Sequence, residues 1–226
     1  MDWNSVDAVL PLVASSDERL SLTSMLLMEL SKQCPGIRVV VLPQWVEGGV
    51  STTVEQHRVV FRAISSGLAM TQRPYVLYIE DDVELAKNFG EHVLKSFTEA
   101  LAETWKRIGA ISFFSAQDGD EWNLENGTEY VPVQETFIHS QCVGMRLEVA
   151  REWSRTMMEW HAGANLARSA AIDKSLDSCC RRMGLGIVRR LPSLVQHASS
   201  SSAMGCGWAP RSTTFEGGIR NQEDQS

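Results

Sequence analysis

Apolar residues along this chain fall into short unbroken runs separated by longer interrupted ones. The unbroken runs predict strands at residues 7–14 (DAVLPLVA), 37–42 (IRVVVL), 75–79 (YVLYI), 108–114 (IGAISFF), 136–145 (TFIHSQCVGM) and 184–190 (GLGIVRR). The interrupted runs have helical spacing. After the start signal Ser15-Ser16-Asp17-Glu18, the residues Leu20, Leu22, Met25, Leu26, Met28 and Leu30 share helical periodicity until Cys34-Pro35-Gly36 stops them. Further helices are predicted at 54–70 (Val59, Val60, Ala63, Ile64, Leu68), at 85–105 (Phe89, Val93, Leu94, Phe97, Leu101), at 147–160 and at 170–183. A strand, a helix and a strand in that order cross over right-handed into a parallel sheet. The expected fold is therefore α/β: one Rossmann-like domain over residues 1–226, its mostly parallel central sheet flanked by helices.

Between these elements, residues 45–53 (WVEGGVSTT) predict a loop with paired glycines. Residues 117–134 predict a long loop or small hairpin, with Asp118-Gly119-Asp120 and Asn126-Gly127 as turn signals. Residues 191–197 (LPSLVQH) run back toward the acids that follow the third strand. Serine and glycine dominate after Ala198, and 217–226 is expected to be a frayed tail.

The run at 75–79 ends abruptly in Glu80-Asp81-Asp82. Three carboxylates at one strand end repel one another unless a cation or ligand donors compensate them. Ligands of open α/β sheets sit at the carboxyl ends of strands. The expectation is a divalent metal with a phosphorylated ligand. While the chain stays extended, Glu80 and Asp82 point to one face and Asp81 to the other. The competing reading makes Asp82 the N-cap of a helix over 83–89. His197, on a late strand before a loop of small residues, is either a neutral imidazole completing the metal site or a structural histidine.

Composition narrows the picture without deciding it. No run of 18 apolar residues marks a transmembrane helix, and the N-terminus lacks a basic signal region. Five cysteines without ligand-like spacing read as reduced thiols of a cytoplasmic protein. The net charge of −7 is uneven: ten Lys/Arg against seven Asp/Glu leave residues 151–226 at +3 and residues 1–150 at −10. That balance argues against a general nucleic-acid binder. The arginines 181, 182, 189 and 190 are read as a solvated helix end and strand edge ahead of a phosphate contact.

Taken together, the YIEDDV strand end, Ala171-Ile172-Asp173-Lys174 and PSLVQH with its following loop resemble the GT-A glycosyltransferases over roughly residues 7–215. The EDD spelling is similar to that of N-acetylglucosaminyltransferases, and the PSLVQHASSSS ending to related enzymes, phage-encoded ones included. The resemblance implies a sugar-nucleotide donor, a UDP-sugar first, with Mn²⁺ or Mg²⁺ on its diphosphate. It implies Asp82 and His197 as metal ligands, with Glu80 and Asp81 facing ribose and donor sugar. Ser15 and Arg19 would lie at the nucleotide-binding loop. Arg211, with Ser199 to Ser202 and Gly205, would wrap the diphosphate.

In inverting members a carboxylate opening a late helix deprotonates the acceptor hydroxyl. Asp173 takes that place, against the alternative of a first-turn aspartate favoured by the helix dipole, with Asp177 as substitute. The chain shows neither the membrane anchor nor the disulfide signs of secreted relatives, which points to a bacterial or phage-infected cytosol. There the acceptor is a hydroxymethylated DNA base, a glycan or a protein. Two other functions compete: a phosphohydrolase with an aspartate nucleophile, and a nucleotide-binding module without turnover.

Overall fold

The computed structural model describes residues 1–13, 17–44, 54–102, 107–134, 137, 140–162, 171–198 and 211–215. The expected loop at 45–53, Ser15, Ser199 to Ser202, Gly205 and the tail at 217–226 lie outside the described residues.

The first half alternates strand and helix as the apolar pattern predicts: β1 (Val6–Val13), α1 (Asp17–Gln33), β2 (Arg38–Gln44), α2 (Val54–Ala69) and β3 (Tyr75–Ile79). Then come β4 (Val83–Leu85), α3 (Phe89–Ser96) running into a π-helical turn (Phe97–Leu101), β5 (Ile108–Ser112), α4 (Asp120–Glu125) and β6 (Tyr130–Pro132). The chain continues through β7 (Cys142–Arg146), α5 (Leu147–Ala162), α6 (Ala171–Arg182), β8 (Gly186–Arg190) and β9 (Val195–His197).

Seven strands form one sheet in the order β2-β1-β3-β7-β5-β8-β6. Strands β2, β1, β3, β5 and β8 run one way, while β7 and β6 run against their neighbours. Alternate side chains of β3 serve two cores, because successive residues of a strand face opposite sides. Leu77 and Ile79 pack with Leu26 and Leu30 of α1 and Phe89 and Val93 of α3. Val76 and Tyr78 pack with Ile64 of α2, Trp153 of α5 and Leu176 of α6. Helices thus cover both faces. Among the described residues no helix is long and apolar enough to cross a membrane.

Three expectations are corrected. Residues 83–85 are a strand, so the predicted helix over 83–89 does not exist and Asp82 caps nothing; α3 starts only at Phe89, after Asn88 in the left-handed region. Of the predicted strand 136–145, the described residues Phe137, Ser140 and Gln141 are not strand and the strand runs Cys142–Arg146; the Ser140 N–H goes to Asp173 rather than to a ladder. The stretch 117–134 is neither plain loop nor hairpin. It contains the short helix α4 and the edge strand β6, which pairs with β8.

Candidate active site

Arg19, Glu80, Asp81, Asp82, Asp173 and His197 stand at the carboxyl edge of the sheet. Strand β3 ends at Ile79, and Glu80 donates its backbone N–H to the Gln141 carbonyl at 2.9 Å. The chain then turns at Asp81 and Asp82 before β4. This turn overrides the extended-chain expectation that Asp81 and Asp82 face opposite ways. Both carboxylates are buried and both are held by Arg19.

Arg19 comes from the first turn of α1, which follows β1, the neighbour of β3. One of its terminal nitrogens donates to Asp82 Oδ2 at 3.1 Å and the other to Asp81 Oδ1. Burial alone would lower the Arg19 pKa, but Asp82, Asp81 and Glu80 outweigh it, and the guanidinium stays charged. Arg19 therefore grips both acids, at the edge where the sequence suggested a nucleotide contact.

The other oxygen of Asp82 is different. Oδ1 is buried and accepts no hydrogen bond among the described residues. At 3.8 Å from it stands Nδ1 of His197. The backbone brings the two together: β4 and β9 pair antiparallel with Val83 opposite His197, and the Ala198 N–H donates to the Asp82 carbonyl at 2.8 Å. The edge of the Phe114–His197 ring pair, with centroids 6.0 Å apart, walls the imidazole on one side. Burial lowers the His197 pKa, with Arg19 adding to it and Asp82 opposing it, so the ring is neutral at pH 7. With its Nε2–H tautomer the neutral imidazole would turn a lone pair on Nδ1 toward the open carboxylate oxygen, and the two atoms could then share a cation.

That donor set fits a hard divalent cation. Two donors each about 2.1 Å from an ion lie at most about 4.2 Å apart, so a pair at 3.8 Å spans one site. Among the described residues no group of three or more His, Cys, Asp or Glu is gathered for a metal. A cation held by this pair would have room for water or phosphate oxygens at its other positions.

Asp173 sits in the first turn of α6. That helix precedes β8 and so begins at the same sheet edge. Its Oδ1 accepts the Ser140 N–H at 2.8 Å. Its charge is felt by Glu80 and by the buried Tyr78 hydroxyl, which places it with the strand-end acids. Burial first, then Asp82, Asp173 and Asp81, push the Glu80 carboxyl well above the usual range, only partly offset by Arg19. Arg211 is exposed beside this edge. Its neighbour Ser212 exchanges hydrogen bonds with Gln196, the residue before His197, at 3.1 and 3.3 Å. Asp177 points elsewhere, into an ion pair with Arg181 at 3.0 Å.

Several supporting residues left no trace in the sequence reading. Ser140 and Gln141 act through backbone atoms, which no side-chain pattern reports. A buried polar chain connects Ser115, Ser193, Thr214, Ser212 and Gln196 and fixes the segment before His197. Asp120, expected as a loop acid, is instead buried and takes hydrogen bonds from Ser115, Gln117 and Arg189 at 2.5, 3.1 and 3.2 Å.

No protein-family model and no curated protein matches this chain. Among solved structures it is similar to a glycosyltransferase involved in the glycosylation of the major capsid of PBCV-1. The identity is 12%, the match covers 88% of this chain and 94% of that one, and the TM-score is 0.57. Two looser likenesses carry no inference. One is to A197 from STIV (12% identity, 88% and 87% covered, TM-score 0.46), the other to the bifunctional IspDF from Campylobacter jejuni (10%, 93% and 52%, 0.44). The seven-stranded sheet with helices on both faces and the first of these likenesses agree: the chain shares the fold of that glycosyltransferase.

Proposed function

We propose that this protein transfers a sugar from a nucleotide-sugar donor, a UDP-sugar first, to a hydroxyl acceptor, with Mn²⁺ or Mg²⁺ and with inversion at the anomeric carbon. The observation that carries the reading is the buried, unpartnered Asp82 Oδ1 set against a neutral His197 at 3.8 Å. A buried carboxylate oxygen left without a donor is costly, and a bound cation would offset that cost here.

Asp82 and His197 would hold the cation, which supplies positive charge against the departing diphosphate. Arg19 keeps Asp82 from rotating by taking its second oxygen. Glu80 and Asp81 line the donor side of the same turn. Arg211, exposed next to the segment that carries His197, would meet diphosphate oxygens.

Asp173 would take the acceptor proton. A general base needs a defined direction as much as a suitable pKa, and the Ser140 N–H fixes one carboxylate oxygen at 2.8 Å. The acceptor hydroxyl then attacks the anomeric carbon, its proton passes to Asp173, and the nucleoside diphosphate leaves from the opposite face. The glycosyltransferase of similar fold is described as involved in glycosylating a viral capsid protein, which favours a protein or glycan hydroxyl. The acidic net charge of −7 adds to this against a hydroxymethylated DNA base.

Release of nucleoside diphosphate tests the reading. A panel of UDP-, GDP- and TDP-sugars with Mn²⁺, supplied with protein, glycan and hydroxymethylated-DNA acceptors, should show turnover with at least one pair. Tight nucleotide binding with no turnover across the panel would leave a binding module instead.

A further inference from the structure

On the reading that Asp82 and His197 hold a divalent cation, the fold already contains a competing positive charge. The Arg19 guanidinium spans Asp81 and Asp82, taking one oxygen of each, and its side chain is 7% exposed. It cancels one of the two negative charges of that pair. What that pair then offers an incoming ion is one unit of negative charge and the open oxygen Asp82 Oδ1 beside His197 Nδ1. A diphosphate would supply both missing elements, oxygen ligands and further negative charge.

We propose that Arg19 is a positioning residue that couples cation binding to diphosphate binding. It keeps the bare site too weakly anionic and too poor in oxygen donors to retain a divalent ion, so the ion is held only together with the diphosphate. Two effects act in the same direction. Repulsion between a guanidinium and a divalent ion a few ångströms away changes affinity by about tenfold or more, even at an effective dielectric of about 20. The fork also withholds Asp82 Oδ2 and Asp81 Oδ1 from the ion. Removing Arg19 should therefore tighten the bare metal site rather than loosen it, the opposite of what loss of a purely structural ion pair would do.

Calorimetry on the full chain reads this directly, with Mn²⁺ alone, UDP alone and both together. The wild type should bind Mn²⁺ at least about tenfold more tightly with UDP present than without it. Arg19→Gln should bind Mn²⁺ alone at least about tenfold more tightly than the wild type, and UDP should then add little. Arg19→Lys keeps the charge but reaches one carboxylate, so its affinity for Mn²⁺ alone should fall between the two. If Arg19→Gln does not unfold cooperatively, Arg19→Lys carries the test. A wild type that binds no Mn²⁺ in either condition removes the metal site itself, and the coupling with it. A wild type whose Mn²⁺ affinity ignores UDP, or variants that bind bare Mn²⁺ no more tightly than it does, overturn the coupling and leave the metal site standing. Loss of metal-free UDP binding in Arg19→Gln, with bare Mn²⁺ affinity unchanged, would make Arg19 a nucleotide contact instead.

Discussion

Nδ1 of His197 stands 3.8 Å from Oδ1 of Asp82, although one residue follows the third strand of the chain and the other closes the last. The β4–β9 ladder imposes this proximity, pairing Val83 with His197 through the backbone. Position and chemistry are therefore separable at His197. The ladder would survive loss of the imidazole, whereas an ion held between the two groups would not.

His197→Ala should accordingly unfold as cooperatively as the wild type yet bind UDP with Mn²⁺ at least about tenfold more weakly, the loss typical of a perturbed metal shell. Calorimetry beside a thermal melt separates the two effects. A variant that loses its melting transition, with Mn²⁺-supported UDP binding intact in whatever remains folded, would make the histidine structural.

Asp7 anchors the other end of the sheet and gives a pH dependence. It is fully buried on β1, its carboxylate paired with Arg38 at 2.6–2.7 Å and accepting the Gln72 and Arg73 N–H groups. Burial works to raise its pKa, but those donors prevail and hold it below the usual aspartate value. A depressed carboxylate contributes stability that is fully present above the unfolded pKa of about 3.9 and is lost as pH falls through the lower folded value. Asp7→Asn should cost about 2–3 kcal/mol at neutral pH, below the full figure for a broken buried pair because Arg38 is partly exposed. In urea titrations the gap between wild type and variant should be flat above about pH 5 and close toward pH 2. A gap that stays constant down to pH 2 would remove Asp7 from the acid sensitivity.

Gly144 on β7 admits the ring of Phe97 from the π-helical turn. A Cβ there would collide with Phe97 and lie 2.8 Å from Phe113. Gly144→Ala should destabilise the protein by about 1–3 kcal/mol, the usual range for overpacking a core. Phe97→Leu in the same chain should recover part of it. Additive losses in the double variant would place the strain elsewhere.

How far the sequence could be read follows from how local each determinant is. Strand β3 and its acids were legible because five apolar residues and three carboxylates are contiguous. Helices α1, α2, α5 and α6 were legible because their periodicity repeats over three or more turns. Strands β4 and β9 were not, since three residues carry too little alternation to distinguish a strand from a helix start. Their pairing is what displaced the capping reading of Asp82 and brought His197 to it. The Arg19 fork was equally invisible: nothing near Arg19 in sequence announces partners at Asp81 and Asp82. A metal site at the strand-end acids and His197 was read from the residues themselves, the base role of Asp173 from family resemblance, and the geometry now supplies physical reasons to test each.

Asp173 is the sharpest of these tests. Its Oδ1 accepts the Ser140 N–H at 2.8 Å, so a backbone group orients that carboxylate oxygen. Asparagine keeps an oxygen in that position, retaining the contact, the size and much of the preference for a helix start. What it removes is the ability to accept a proton. Asp173→Asn should therefore keep its melting temperature and its Mn²⁺–UDP affinity while transfer falls by about 10²–10⁴-fold, the usual contribution of a positioned general base. A base on the acceptor side implies one displacement, so NMR of the early product should show the anomer inverted relative to the donor. Near-normal turnover in Asp173→Asn would shift the role to another group at this edge. Retention of the anomer would exclude single displacement altogether, and Asp173 with it.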